Sequence, residues 1–472
     1  MRIRLLVTSA LGVVLSSCGG SDGSTGGGGT SFPPTTSTPT PSYAPPPPNS
    51  VIYSFEVISG VRAWGVISLP TDEENASLNT TIVTDNGGTF VDGRGGANSL
   101  GTVIGGSMGD TPFDPASNKY EVRAVGYELA SGEWVSIGAG PGATTVSAVN
   151  SLVRWVGSED DVREALRVPD NHLNLQPGVK LATTSTIMGL QSSIPADVEN
   201  ANRIAAANVR LIAALMTMHI LKSGSWWGST VPYANGMPDL EIRELATFVR
   251  RNPSYPIFEG GLEQWLKSRP STYPALHQDV VQAVSHLLSE YAVASARHNY
   301  VGARRGQYLL GVRAWLAPRL VDMMRRNDAT TAAKYLAVGA ADIERDTAEI
   351  IAVHPVPDKQ AFFVAGTDVV QMAPGEERTD GGRNPGLGKV NFFWNDMTFT
   401  NPGNALMGND IDEIVSISIP AAQARQIQAR LNADQTITIT AQSDFTGTSY
   451  FDYRVRIKSG REASGRVYVA VL

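Results

Sequence analysis

The chain has 472 residues, 42% of them hydrophobic, and a formal net charge of −7 at pH 7. That length predicts about three domains, and the acidic balance argues against a general nucleic-acid-binding protein. A single cysteine excludes a disulfide scaffold, a zinc site built from thiolates and an iron–sulfur cluster.

The N-terminal residues have the pattern of an export signal. Arg2 and Arg4 precede an apolar stretch over residues 5–15. That stretch is shorter than the ~20 residues that a helix needs to span a bilayer. The pattern is therefore typical of a signal peptide rather than of a membrane-spanning helix.

The signal ends at Leu15-Ser16-Ser17-Cys18, which resembles the lipobox of bacterial lipoproteins. The resemblance implies that residues 1–18 are a lipoprotein signal peptide, that cleavage precedes Cys18, and that Cys18 carries acyl chains such as palmitate. Because Gly19 and not aspartate follows, it also implies placement in the outer membrane. Each buried CH₂ contributes about 0.8 kcal/mol, so several chains anchor firmly. The alternative is an ordinary signal peptide with an incidental cysteine.

Residues 19–50 are rich first in Gly and Ser and then in Pro and Thr, ending in four prolines at 45–48. Such a composition buries too little apolar surface to offset the entropy of ordering, so we expect a disordered tether. Its proline half extends by about 3.1 Å per residue, which holds the folded part away from the lipid surface.

Short β-prone runs separated by Gly- and Asn-rich turns predict a β-sandwich module over residues 51–146. The predicted strands are 51–58, 63–69, 79–84, 120–129 and 134–137. Residues 57–61, followed by 84–90, resemble the strand and hairpin phrases of a prealbumin-like module of bacterial surface proteins.

Apolar residues recur at helical spacing in the next region, which predicts a helical domain over residues 147–373 with about six or seven packed helices. Ser158 is placed to cap a helix that runs through Leu166, and Pro318 is expected to kink or split a later one. Further helices are predicted at 240–250 and 335–353. Residues 143–153 and 162–168 resemble phrases that follow the prealbumin-like module in bacterial adhesin-like lipoproteins.

Conventional catalytic and metal motifs are weak in this chain. The six histidines contain no H-E-x-x-H pair, and no two of them stand three or four positions apart. His219 and His286 are expected to be hydrogen-bonded core histidines. Residues 105–109 match the nucleophile-elbow pattern, but prolines at 112 and 115 oppose the helix that this motif needs.

Two features of the helical region predict contact with a partner. Trp226 and Trp227 are adjacent in a loop, where indole rings can stack on a sugar or anchor a protein. Seven arginines stand between 297 and 326 with one acid, and we select Arg304, Arg305 and Arg313 as a positive docking face. The alternatives are tryptophans that plug the loop onto the bundle and a solvated helix face.

A Gly- and Pro-rich break at 374–385 predicts a boundary before a final domain over residues 386–472. The predicted strands are 390–396, 413–419, 436–440, 450–457 and 465–471. Residues 444–455 and the glycine turn after them resemble the closing hairpin of a cadherin-like bacterial immunoglobulin sandwich. Asp410, Asp412 and Glu413 are oxygen donors of the kind that bind calcium, with a solvated loop as the alternative.

The sequence therefore predicts a multidomain α+β protein with an N-terminal β-sandwich, a central helical bundle and a C-terminal immunoglobulin-like β-sandwich. We expect a non-enzymatic, membrane-anchored surface lipoprotein that acts in adhesion or as a binding component of the envelope. Its expected partners are the membrane and a protein or glycan, with no cofactor and no nucleic acid. The alternatives are an envelope- or glycan-active hydrolase and a docking subunit of an outer-membrane assembly.

Overall fold

Strands occupy the two ends of the described chain and helices its middle. The computed structural model describes residues 51–66, 69–70, 81–83, 89–92, 120–128, 133–140, 142–224, 239–267, 275–356, 363–364, 366–381, 397–400, 404–407 and 411–472. The predicted signal peptide, the tether, the motif at 105–109, Trp226, Trp227, the strand at 390–396 and Asp410 lie outside these residues. All described residues belong to one compact unit, residues 46–472.

Eight strands precede the first helix among the described residues. They are β1 (Val51–Phe55), β2 (Val61–Val66), β3 (Leu69–Pro70), β4 (Thr81–Val83), β5 (Thr89–Asp92), β6 (Tyr120–Glu128), β7 (Glu133–Ala139) and β8 (Thr145–Val146). Strand β1 lies between antiparallel β5 and parallel β8. Strand β6 pairs with β2, β3 and β7, and β2 also pairs with β4. Each strand predicted in this region overlaps one of the eight.

Ten α-helices follow in the described part of the chain. They are α1 (Ala148–Val156), α2 (Glu159–Ala165), α3 (Thr186–Gly189), α4 (Pro195–Ser223), α5 (Asp239–Arg251), α6 (Leu262–Lys267), α7 (Gln278–Arg297), α8 (Ala317–Arg326), α9 (Ala329–Leu336) and α10 (Ala340–Val353). The predicted cap at Ser158 is confirmed, because its hydroxyl accepts a hydrogen bond from the Asp161 backbone N–H at the start of α2.

Helix α4 is the centre of the helical region. It is apolar around most of its circumference, which is typical of a helix enclosed by others. By length and composition it would be long enough to cross a membrane, but 94% of its most apolar window is buried inside the protein. It therefore serves as a core helix, and its neighbours include α1, α5, α7 and α8.

The N-terminal strands and the helices share one hydrophobic core. Phe55, Val135 and Val146 from the strands are buried in the same cluster as Leu152 of α1 and Leu215 of α4. The apolar face of helix α1 covers strand β7. A separate sandwich over residues 51–146 therefore stays a prediction, whereas the described strands pack onto the helices.

The chain between α7 and α10 departs from regular α-helix near Pro318 and at Gly339. A π-helical turn (Gly311–Leu316) precedes α8, and Pro318 stands in the first turn of α8, where proline needs no donor. The single helix predicted at 335–353 is instead α9 and α10. Gly339 adopts an extended conformation between the two helices and is the N-cap residue of α10.

Two sheets packed face to face form the C-terminal sandwich. One sheet contains β10 (Thr367–Met372), β18 (Glu462–Val471), β17 (Gly447–Ile457) and β14 (Ile411–Ser418) in that order. The other contains β11 (Glu377–Gly381), β16 (Thr436–Ala441) and β15 (Ile427–Leu431). A further small sheet joins β9 (Phe363–Val364), β12 (Met397–Thr400) and β13 (Asn404–Met407).

The sandwich starts before the predicted boundary at residue 386. Strand β10 pairs in parallel with β18, from Thr367 opposite Arg466 to Met372 opposite Val471. Strand β11 occupies the segment that sequence composition marked as a break. Val370 and Met372 of β10 are buried in the sandwich core, and β11 pairs with β16 in the second sheet, so the domain begins near Thr367.

Replacing Gly465 with alanine is expected to lower the free energy of unfolding by about 1–3 kcal/mol. A Cβ at Gly465 would lie 2.5 Å from the Tyr453 ring. The Tyr453 ring is buried, and its hydroxyl donates to Asp368 at 3.1 Å, so the ring is not free to move away from the added methyl group. Urea denaturation measures the change. The exposed neighbour Ser464 provides a control, since Ser464→Ala should shift stability by less than about 0.5 kcal/mol; an equal effect of both variants would contradict the steric argument.

Candidate functional site

The predicted calcium donors are only partly described. Asp412 is exposed on β14, and Glu413 forms an ion pair with Arg456 on the adjacent strand. Within the described residues, no group of three His, Cys, Asp or Glu side chains is arranged to hold a metal ion. Asp410, Trp226 and Trp227 lie outside the described residues, as does Cys18, so their predicted roles stay predictions.

The three arginines selected as a docking face do not share an exposed surface, which corrects that expectation. Arg305 and Arg313 are buried, because the chain from 305 to 323 runs through the middle of the helical core. Arg304 is exposed, and its guanidinium donates to the carbonyl oxygens of Ile351 (2.9 Å) and His354 (2.6 Å). It therefore caps the C-terminal end of α10, where a cation is favourable.

Arg305 belongs to a buried group of charges that joins the N-terminal strands to the helices. The Glu56 carboxylate accepts hydrogen bonds from the Ile187 backbone N–H (2.8 Å) and the Ser185 hydroxyl (2.9 Å) at the start of α3. Burial raises the pKa of Glu56, an effect that these hydrogen bonds oppose. Burial lowers the pKa of Arg305, and the nearby carboxylates of Glu128 and Glu56 oppose that change. These contacts fix the strands against α3.

A cleft between α10 and the C-terminal sandwich is the best candidate for a functional site. Its volume is about 530 Å³, within the range of about 300–1,000 Å³ that is usual for ligand pockets, and such pockets favour domain junctions. The residues around it are Arg319, Asp346, Glu349, Ile350, Ala352, Val353, Gln423, Gln426, Phe445, Thr446, Gly447, Thr448, Tyr450 and Tyr468.

Helix α10 supplies one wall of the cleft. Glu349, Ile350 and Val353 stand three, four and seven positions after Asp346, so the four residues lie on one helix face. The sandwich supplies the opposite wall through the segment that leads into β17, through Tyr468 on β18 and through the 3₁₀ turn before β15. The cleft is therefore a product of how the two regions pack.

Hydrogen bonds hold the two walls together beneath the cleft. The Tyr468 hydroxyl donates to the Ile350 carbonyl oxygen at 3.2 Å and lies 3.1 Å from His354 Nδ1. The Arg466 guanidinium donates to the Val353 carbonyl oxygen at the end of α10. Burial, together with the cations of Arg466 and Arg304, lowers the pKa of His354 to about 3. The junction is therefore built around a neutral imidazole at pH 7.

The carboxylates of the cleft lie on the same wall and differ in their surroundings. Asp346 accepts hydrogen bonds from Trp315 Nε1 (3.1 Å) and from the guanidinium of Arg345 (3.0 Å), which fix its orientation. Glu349 is exposed and makes no hydrogen bond or ion pair with the described residues. Arg319 is turned away onto Trp315, with its guanidinium 4.1 Å from the ring centroid.

The sandwich wall offers aromatic and uncharged polar groups. The guanidinium of Arg466 covers one face of Tyr450 at 3.9 Å from the ring centroid, which holds this ring in place. Phe445 is half-buried beside it. In this wall, Gln426 Oε1 and Thr448 Oγ1 have no hydrogen-bond partner in the described structure. Both atoms are therefore free to accept a hydrogen bond from a bound molecule.

Sequence patterns did not single out this cleft. The predicted helix at 335–353 contains the carboxylates, and the phrase at 444–455 contains the aromatic residues, but the two segments are distant along the chain. A pair of acids three positions apart on a helix is common on solvated faces. The residues of the cleft therefore come together only in the folded chain, where the sandwich packs against α10.

Comparisons with known proteins identify the C-terminal region. Residues 393–470 match a family model described as a bacterial Ig domain, which confirms the immunoglobulin-like fold predicted for this part of the chain. The match spans strands from β12 to β18, and β10 and β11 complete the sandwich before it. No curated protein and no solved structure matches the chain.

Proposed function

We propose that the protein is a lipid-anchored surface protein of the bacterial envelope that binds a partner in the cleft between α10 and the sandwich. The observation that carries the proposal is the bacterial Ig domain at residues 393–470. Such a domain is consistent with a surface or adhesion-type role. The lipobox-like sequence that ends at Cys18 and the tether after it support anchoring and stand-off from the lipid.

Binding without turnover accounts better for the cleft than glycan hydrolysis does. A glycoside hydrolase needs two carboxyl groups that flank the scissile bond, one of them protonated. Asp346 and Glu349 are three residues apart on one helix face and so lie on the same wall. The docking-subunit alternative has less support, since Arg305 and Arg313 are buried.

Replacing Cys18 with serine is expected to release the protein from the membrane fraction as a folded periplasmic or secreted product, because serine has no thiol to acylate. Fractionation of cells and labelling with radioactive palmitate measure the two parts of this result. The unaltered chain should carry the label and float with outer-membrane vesicles in a density gradient.

The variant Ser21→Ala serves as a matched control, since it changes a nearby small residue and leaves the lipobox intact. It should remain labelled and membrane-bound. If Cys18→Ser stays in the membrane pellet after a high-salt wash, the anchor is not the lipid at Cys18, and the proposed mode of display is wrong.

A further inference from the structure

We infer that the cleft between α10 and the sandwich binds an uncharged oligosaccharide, which deepens the proposed function and rests on it. The inference stands on the combination of groups in the two walls. Aromatic surface lies on the sandwich side, amides and hydroxyls lie beside it, and carboxylate oxygens face them from α10.

The aromatic wall suits the apolar face of a sugar ring. Arg466 occupies one face of Tyr450, so a ligand meets the remaining surface of a ring whose position is already fixed. Such preorganisation lowers the entropy lost on binding. Phe445, at the turn into β17, extends the aromatic surface along the cleft.

The polar groups suit hydroxyls, which both donate and accept hydrogen bonds. Asp346 and Glu349 accept only, whereas the amides of Gln423 and Gln426 donate and accept. A sugar hydroxyl is able to donate to the carboxylates and to accept from the amides. Gln426 Oε1 and Thr448 Oγ1 have no hydrogen-bond partner in the described structure, and both residues line the cleft.

The charges favour an uncharged glycan over an acidic one. Glu349 is a carboxylate without an ionic partner among the described residues, and it would repel uronic acids or sulfated sugars. The one cation in the lining, Arg319, is buried and directed onto Trp315. A basic peptide is the main competitor, because it would pair with Glu349.

The test is isothermal titration of the full chain in detergent with cellotetraose, maltotetraose and chitotetraose, and with a heparin tetrasaccharide and a tetralysine peptide as charged probes. We expect at least one uncharged tetrasaccharide to bind and the heparin fragment not to bind. Tyr450→Ala and Phe445→Ala should each weaken that binding at least tenfold, and Tyr450→Phe should stay within about twofold, since it keeps the ring.

Matched controls separate the site from folding. Tyr255 is an exposed tyrosine outside the cleft, so Tyr255→Ala should leave binding unchanged. Thermal melting shows whether Tyr450→Ala is folded, and Phe445→Ala repeats the test if it is not.

Failure of this inference is distinguishable from failure of the proposed anchoring. Binding of tetralysine with no uncharged sugar bound would overturn the inference, as would tight binding of the heparin fragment alone or no binding of any probe. Release of shorter sugars from a bound tetrasaccharide would overturn binding without turnover. None of these results depends on the localisation of Cys18→Ser.

Discussion

Acidification from pH 7.5 to pH 5 is expected to lower the free energy of unfolding by about 2 kcal/mol through His354 alone. Burial first, and then the cations of Arg466 and Arg304, lower the pKa of this histidine to about 3 in the folded protein. The unfolded chain has the ordinary value of about 6.5. Between these two pH values, His354 is protonated in the unfolded state and neutral in the folded state. The contribution of His354 to the free energy of unfolding is therefore complete above pH 6.5 and is lost progressively as the pH falls to 3.

Urea denaturation of the full chain and of His354→Gln at the two pH values measures this contribution. The glutamine variant does not titrate, so its loss of stability on acidification should be smaller by about 2 kcal/mol. His298, whose pKa burial lowers to about 4, should still contribute in both proteins. The exposed His172 provides the control, since His172→Gln should leave the acid sensitivity intact. Equal acid sensitivity in all three proteins would show that His354 is not held neutral at the junction.

The position of His354 connects this stability to the proposed site. Its imidazole contacts Tyr468 on β18, and its carbonyl oxygen accepts from Arg304 at the end of α10. Protonation would place a third cation between Arg466 and Arg304. Because the same contacts hold the two walls of the cleft, we expect acid to weaken ligand binding together with the junction.

Local patterns in the sequence were sufficient where one element determines its own structure. Ser158 caps α2 as predicted, because a cap depends on residues within one turn. The alternation of Tyr453, Val455 and Ile457 with charged residues predicts the two faces of β17, and these three side chains are buried. The spacing of apolar residues likewise predicts α4 and α7.

Packing decided the features that local patterns missed. Arg305 and Arg313 belong to a run of basic residues that is typical of a solvated face, yet α4 and α10 enclose that segment and bury them. Strand β10 joins the sandwich only because β18, whose paired residues stand 99 positions later, offers it a parallel edge. The cleft has the same origin, since Asp346 and Tyr450 approach each other only in the folded chain.

Replacing Arg210 with methionine is expected to raise the free energy of unfolding by about 3 kcal/mol. Arg210 belongs to α4, and its side chain is fully buried. Its three guanidinium nitrogens have no hydrogen-bond partner in the described structure. Burial lowers its pKa from the ordinary value to about 10, with Tyr300 opposing the change. Each unit of such a shift costs about 1.4 kcal/mol. The cost is present at every pH below about 10, because the charged form is then the one that is buried.

Methionine is the appropriate replacement because it is long, unbranched and able to fill an irregular space without a charge. Chemical denaturation at pH 7 measures the gain, and the melting temperature should rise by several degrees. Arg203 lies on the same helix and is partly buried, but it pairs with Glu199 and donates to the Asn174 carbonyl oxygen, so Arg203→Met should leave stability unchanged or slightly lower. A marked loss of stability in Arg210→Met would contradict the interpretation, since it would mean that the guanidinium is held by a favourable partner in the folded protein. A neutral result for both variants would mean that the interior around α4 solvates this charge far better than its burial indicates.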